Sequence, residues 1–495
     1  MNIKLIPIIL VSAFVVTAII ITAHFTIKMA EFQTQRVLND NIQSHLTAIR
    51  DTKKAQIEDY FKRLSNQIQL YAHLRDIKEA MRGFKETFPQ FQHEAAAAPL
   101  ASDDTVTPTV PIAQYRQNLA NYYNNDFAQE YNTLNVSQVP DLKPILLQLN
   151  ENSIALQYHY IAANPNPLGT QAELFAASDA SSYTRLHRIY HNPIKQLKKT
   201  AEASDILLVD SDTGMIVYST NKELDFATSL IEGAYAKTGL GQVFRQANAR
   251  EEVALVDFSP YLPAYNNQRA FIGTAIFDGA QKMGVLIFQM AIDSINDIMT
   301  YGKAWRFEES GLTGETYIVA ADGTMRNDSR LLVEDKEEYL LAIEQAELSN
   351  DVISSIELKN TSVGLQIVDN PGTKATLAGK REFALYVDYH DEFVFSAYAP
   401  LEVPGLQWAV FSTLQENEAL IPLEELIDKV TAGAMQIVGI VLLVGLIGLV
   451  LALPSKRAVV TGTKPQVGTE MPTHQASVPK TYTLEQIVEH LNKLR

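Results

Sequence analysis

At 495 residues the chain has room for two or three domains. Its hydrophobic content of 46% excludes general disorder, and a formal net charge of -16 argues against nucleic acid as a partner, because phosphate binding needs clustered Lys and Arg. The absence of cysteine removes disulfides, thiolate nucleophiles and Cys-ligated zinc. After a short N-terminus (residues 1–4), the run 5–27 carries no Asp, Glu, Lys or Arg and is long enough to cross a hydrocarbon core of ~30 Å. A cleaved signal peptide competes with that reading, but its apolar region is usually shorter and its small-x-small site is poor here. From 28 to 92 apolar residues recur at helical spacing, among them Leu38, Ile42, Leu46, Ile49, Ile57, Phe61, Leu64 and Ile68. This predicts one long stalk helix; a stack of shorter helices is the alternative.

Residues 93–200 read as a helical segment interrupted by a mobile Ala-, Pro- and Thr-rich loop at 94–111. Helical spacing resumes from Tyr115 to Tyr131, from Pro144 to Ala163 and from Ser182 to Lys199, the last stopped or kinked at Pro193. DILLVDSDTGMIVYS (205–219) then pairs two β-rich runs across an Asp- and Gly-containing turn, which predicts a hairpin. The pattern returns in ETYIVAADGTMRNDS (315–329), and each hairpin has a distant strand pair, Phe271 to Met290 and Phe393 to Ser412. Each pair is expected to close through a loop with Gly just before its last strand, Gly284 and Gly405. A repeat of about 110 to 120 residues is too long for a solenoid and implies tandem globular modules, here 201–300 and 301–420. A helix is expected at Asp293 to Met299 and another at Asp335 to Ala346.

A second uncharged run, 430–454, reads as another membrane span. Lys4 before the first span and Lys456, Arg457 and Lys464 after the second place both termini in the cytoplasm and 28–429 outside. The tail, 455–495, is a tether followed by a capped amphipathic helix at 483–495, whose stripe (Leu484, Ile487, Leu491, Leu494) suits docking on a cytoplasmic signalling protein. The expected fold class is α+β: two antiparallel-sheet modules with helices laid over them, on a long N-terminal helix, flanked by two transmembrane helices.

No phosphate-binding Gly-rich loop, HExxH or GxSxG is present, so neither enzyme nor cofactor is expected. His187 and His191 stand i,i+4 on a predicted helix, but no third ligand accompanies them, and no metal is expected.

The stretches IRDTKKAQIEDYF (49–61), QYHYIAANPNPLG (157–169), IVYSTNKELDFATSLIEG (216–233), VDFSPYLPAY (256–265), GVLIFQMAID (284–293) and GETYIVAADGTMRNDSRLLVED (314–335) resemble the extracytoplasmic double-Cache (tandem PAS-like) sensor region of bacterial methyl-accepting chemotaxis receptors and related transducers. The resemblance implies a small-molecule pocket in the membrane-distal module, an inner-membrane location with 28–429 in the periplasm, and a homodimer paired through its stalk helices. Leu38, Ile42, Leu46 and Ile49 would form that seam. It departs from the family after the second span, where neither a HAMP linker nor a methylated hairpin follows; output is therefore expected from a separate protein. A degenerate receptor kept as a membrane scaffold is the alternative.

The candidate ligand-binding residues are Tyr218, Asp257, Tyr261, Tyr265, Arg269 and Gln289, a mix of aromatic walls and few polar groups that suits a small polar solute. Amino-acid-binding relatives place an Asp at the position of Gln289, so the resemblance does not extend to that mode. In the second module Arg326, Asp328 and Arg330 cluster after the hairpin, either as surface ion pairs or as an anion site.

Overall fold

The computed structural model describes residues 5–97, 111–303 and 311–452. The predicted tail helix 483–495 and most of the loop 94–111 lie outside them. The chain separates into two compact units, residues 22–433 and the two ends, 1–21 with 434–495. In the unit of the ends, the described helical residues after 434 leave Met435, Ile437, Ile440 and Leu443 exposed. The helix Glu416–Ala452 holds a segment, Glu416–Ile447, long and apolar enough to cross a membrane.

Unit 22–433 is built on two antiparallel sheets. The distal sheet contains β1 (Asp205–Asp210), β2 (Ile216–Ser219), β3 (Ala254–Tyr261), β4 (Asn267–Asp278) and β5 (Gln281–Met290), in the order β2-β1-β5-β4-β3. The proximal sheet contains β6 (Glu315–Ala320), β7 (Glu382–Val387), β8 (Phe393–Pro400) and β9 (Trp408–Gln415), in the order β6-β9-β8-β7. Removing β2 leaves the same order in both, so the internal repeat is a repeat of topology. The second hairpin differs from expectation: after β6 the chain makes only isolated bridges at Thr324 and Met325. The return segment keeps backbone bonds, Arg326 N–H to the Ile318 carbonyl at 2.8 Å and Ala320 N–H to the Thr324 carbonyl at 3.0 Å, and is then taken over by a side chain, Asn327 Oδ1 accepting from the Ile318 N–H at 2.8 Å. Gly284 also differs, lying inside β5, where a Cβ would fall 2.6 Å from the Val209 carbonyl. The turn before β5 belongs to Gly279, at φ +60°.

The stalk is helical from Leu5 to His73, breaks at Leu74, which is extended, and resumes as Arg75–Thr87. No Pro or Gly marks that break. Met81 of the second helix covers one face of the distal sheet at Gly284, and the helix Gly239–Ala249 covers the other at Gly273. With both faces covered, β1 is buried throughout, which is why it reads as an unbroken apolar run rather than an alternation. The helix Ser182–Thr200 runs on through Pro193. Its His187 and His191 are buried and bonded to protein oxygens: His187 Nδ1 to Phe175 O, His191 Nδ1 to Tyr218 Oη and Nε2 to Ala172 O.

One core joins the modules. Ile57 and Phe61 of the stalk pack with Trp408 of β9, and Trp408 stacks on Phe258 of β3. Lower on the stalk, Ile42 and Leu46 are buried against Phe395, Ala397 and Ala419, with Leu38 beside them. The seam expected to join two copies is thus taken up largely within one chain, because an apolar stripe records that something covers it, not what.

Candidate functional site

Strand alternation sorts the predicted site residues between the two faces of the distal sheet. Tyr218 is paired with Leu208 and stacks on Phe84 of the stalk at 5.0 Å, and its hydroxyl meets His191 at 2.8 Å. Arg269 and Phe271 follow alternation on β4, and Phe271 is paired with Gln289. Tyr261 makes an edge contact with Phe271 at 5.1 Å, on the face covered by Gly239–Ala249. The structure therefore brings Tyr261, Arg269 and Gln289 to one face and Tyr218 to the other. Asp257 lies apart from both, in a β-bulge that turns its carboxylate toward the proximal module. There it takes a two-pronged pair from Arg326, Nε to Oδ1 at 3.1 Å and Nη2 to Oδ2 at 3.0 Å. Arg326 is buried, so this cluster is an inter-module link rather than a surface set.

The groups that face Tyr261 come from the loop after β2. Tyr261 donates to Asp225 Oδ2 at 2.5 Å, and the Tyr235 ring stands 6.0 Å from that of Tyr261. Gln157 fixes the loop by donating to the carbonyls of Leu224 and Phe226, and it accepts from Tyr123 Oη at 2.7 Å. Asn221 Nδ2 donates to Glu223 Oε1 at 3.3 Å. Sequence reasoning quoted this loop but missed its residues; the signal available was acids, Glu223 and Asp225, set between apolar neighbours in NKELDFA.

Among the described residues, Glu223 Oε2, Asp225 Oδ1, Tyr235 Oη, Arg269 Nε and both amide atoms of Gln289 are buried without a hydrogen bond of good geometry, although Gln289 lies close enough to Glu223 to act on its carboxyl. Each such atom costs roughly 1–3 kcal/mol when left unsatisfied. Such a group of buried atoms in a marginally stable fold calls for an explanation, such as ordered water or a bound solute. Burial, then the nearby Asp205 charge, pushes the Glu223 carboxyl up to about 7. Burial and the Glu223 charge hold Asp225 well above the carboxylate range. Two adjacent acids with raised pKa values are poised to ionise when a cation arrives.

Above Glu223 a cleft of about 60 Å³ opens between Tyr122, Phe127, Gln171 and Tyr265. Tyr265 sits in left-handed backbone at φ 56° and stacks on Phe127 at 4.9 Å, so it forms the rim rather than the floor. This volume admits a few water-sized groups, so a larger solute must part the aromatic rim.

In the proximal module the corresponding acids are satisfied. Glu315 accepts from Tyr389 Oη at 2.6 Å and from the Arg330 N–H at 2.6 Å. Asp388 accepts from Tyr317 Oη, Asn370 Nδ2 and the Tyr389 N–H.

The chain matches the family model described as Cache domain (dCache_1) over residues 112–423. Among curated proteins nothing matches. Three similar solved structures are chemoreceptor sensor domains. The ligand-binding domain of the Pseudomonas aeruginosa PAO1 amino acid chemoreceptor PctB, solved with L-Arg, is 12% identical at a TM-score of 0.29, covering 46% of this chain and 80% of its own. That of the Pseudomonas fluorescens chemoreceptor CtaA with L-leucine is 15% identical at 0.27, covering 62% and 99%. The periplasmic sensory domain of the Campylobacter jejuni chemoreceptor Tlp1 is 12% identical at 0.33, covering 78% and 99%. The matched segment spans more than half of the chain, and with its two sheets of like topology the protein belongs to the Cache domain family.

Proposed function

We propose that this protein is a bacterial inner-membrane sensor whose distal module binds a small polar solute carrying a cationic group, with Glu223 and Asp225 as its counter-charges. Tyr261 and Gln289 supply the remaining polar contacts, and Tyr265 closes the rim. The observation that carries this reading is the group of buried polar atoms of Glu223, Asp225 and Tyr235, from the loop after β2, and of Gln289 on the distal sheet, that lack a hydrogen bond of good geometry. Residues 28–429 would lie in the periplasm between spans at 5–27 and 430–454. Solute binding would shift the balance between two arrangements of the modules, by its differential affinity for them, and the shift would pass through the spans to a separate cytoplasmic partner. Pairing of two copies is retained in this proposal, but through stalk positions that one chain leaves open, such as Val37 and Leu70, which are exposed.

The test is thermal unfolding of the full chain in lipid nanodiscs against a panel of amines, amino acids, carboxylates and sugars. At least one cationic solute should raise the midpoint in a saturable way. If no member of the panel does so, the narrowness of the cleft favours the scaffold reading, and the sensor proposal fails.

A further inference from the structure

A second cleft, of about 600 Å³, lies where the lower edge of the distal sheet meets the proximal module. Two cations from opposite modules line it. Arg269 comes from β4, and Lys359 ends the helix Asn350–Lys359. Among the described residues neither has a carboxylate within ion-pair distance. The Arg269 Nη1 donates to the Gln268 carbonyl at 3.0 Å, and its Nε is buried without a partner. Lys359 Nζ reaches only neutral oxygens: Tyr265 O at 3.2 Å, Asn267 Oδ1 at 3.3 Å and Asn266 O at 3.5 Å.

The two acids that line the cleft do not supply the missing charge. Asp328 is saturated by Asn296 Nδ2, Thr361 Oγ1 and the Ser362 N–H, at 2.7, 2.6 and 3.0 Å. Asp293 is exposed, and the charges of Glu223 and, after it, Asp293 reach Arg269, but neither carboxylate forms an ion pair with it. Burial, then the Arg269 charge, pushes the Lys359 amine down to about 8. Lysine can relieve that strain by losing its proton, but a guanidinium cannot, so the cleft keeps an unmet demand for negative charge.

We propose that this inter-module cleft binds a small oxyanion, a carboxylate, sulfate or phosphate, held by Arg269 from the distal module and Lys359 from the proximal one. The planar guanidinium presents a fork that matches two oxygens of such an anion, and the ammonium adds a point charge from the other side. An anion so held cross-links the modules, and its binding depends on their spacing. The site is separate from the distal cleft above Glu223, which Lys359 does not line.

The experiment is isothermal titration of the full chain in nanodiscs with succinate, sulfate and phosphate, each against chloride at matched ionic strength. At least one oxyanion should bind saturably, and Lys359→Gln should weaken it by about tenfold or more, the scale of a lost charge-assisted contact, while Lys359→Arg retains it. Which oxyanion binds separates a carboxylate from an inorganic source. Should Lys359→Gln not fold, as judged by circular dichroism, Arg269→Gln carries the same comparison. Binding no tighter than chloride, or equal binding in the folded neutral variant, overturns the proposal. Amine-induced stabilisation that survives in Lys359→Gln would show that such a failure leaves the distal site intact.

Discussion

The two modules share a strand order and differ in what they do with buried acid. In the proximal module Glu315 and Asp388 are surrounded by donors from their own chain, Tyr389, Arg330, Tyr317 and Asn370. In the distal module Glu223 and Asp225 each keep a buried oxygen without a hydrogen bond of good geometry, beside the Gln289 amide. A buried polar network that is complete stabilises a fold, whereas an incomplete one costs stability unless something completes it. On the proposed function, the same architecture would serve as a support in one place and as a receptor in the other. The difference lies in loops and side chains, not in sheet topology.

The largest expected effect breaks the comparison from the distal side. Replacing Glu223→Gln together with Asp225→Asn should weaken a cationic solute by roughly 2–5 kcal/mol, the scale of a lost buried charge partner, while raising the melting midpoint of the free protein. Titration calorimetry and thermal unfolding of the same samples check both halves. On the proximal side the sign reverses. Glu315→Ala leaves the Tyr389 hydroxyl and the Arg330 N–H without their acceptor and should cost about 1–3 kcal/mol in denaturant unfolding, with no gain in midpoint.

A pH series tests the distal side through affinity, since burial also raises Glu315 to about 7 and Asp388 to about 6 in the proximal module. The Glu223 carboxyl sits at about 7 in the fold against an ordinary 4.5, so the free folded protein holds a proton that the unfolded chain releases over that window. Its contribution to stability accordingly falls as pH rises from 4.5 to about 7. Affinity for a cation runs the other way, declining by up to about tenfold per unit as pH drops below 7, because binding must expel that proton. Calorimetry in buffers of different ionisation enthalpy reads the released proton directly; binding with no proton release would remove Glu223 from the site. The smallest effect concerns the link between modules. Arg326→Met should lower stability by about 1–2 kcal/mol, less than a fully buried pair would, since Asp257 and Asp322 are partly exposed. Its solute affinity should stay near that of the parent, with the change appearing in how far protection spreads to β6–β9.

Much of the fold is legible in the sequence because apolar runs and turn residues act locally. The hairpin 205–219, both distant strand pairs and the helices at 293 and 336 all follow from such patterns. What was not legible depends on partners far along the chain. The second hairpin loses its return strand to Asn327, whose amide competes for the Ile318 N–H. The stripe at Ile42 and Leu46 is covered by Phe395 and Ala397 of β8 in the same chain. For the site, Tyr261, Arg269 and Gln289 share a face by strand alternation. Tyr218 falls on the other face because its pairing with Leu208 fixes the opposite parity, which requires knowing the register. Glu223 and Asp225 sit in a loop, where no periodicity shows whether an acid points inward.

Hydrogen–deuterium exchange on the full chain in nanodiscs, with and without a solute that stabilises it, tests the central claim most directly. Slowed exchange should appear in the loop 220–235 and at 257–265, while 386–391, around Asp388 and Tyr389, should change little. Protection centred on the proximal segment, with the distal loop unchanged, would contradict the assignment of the receptor site to the distal module.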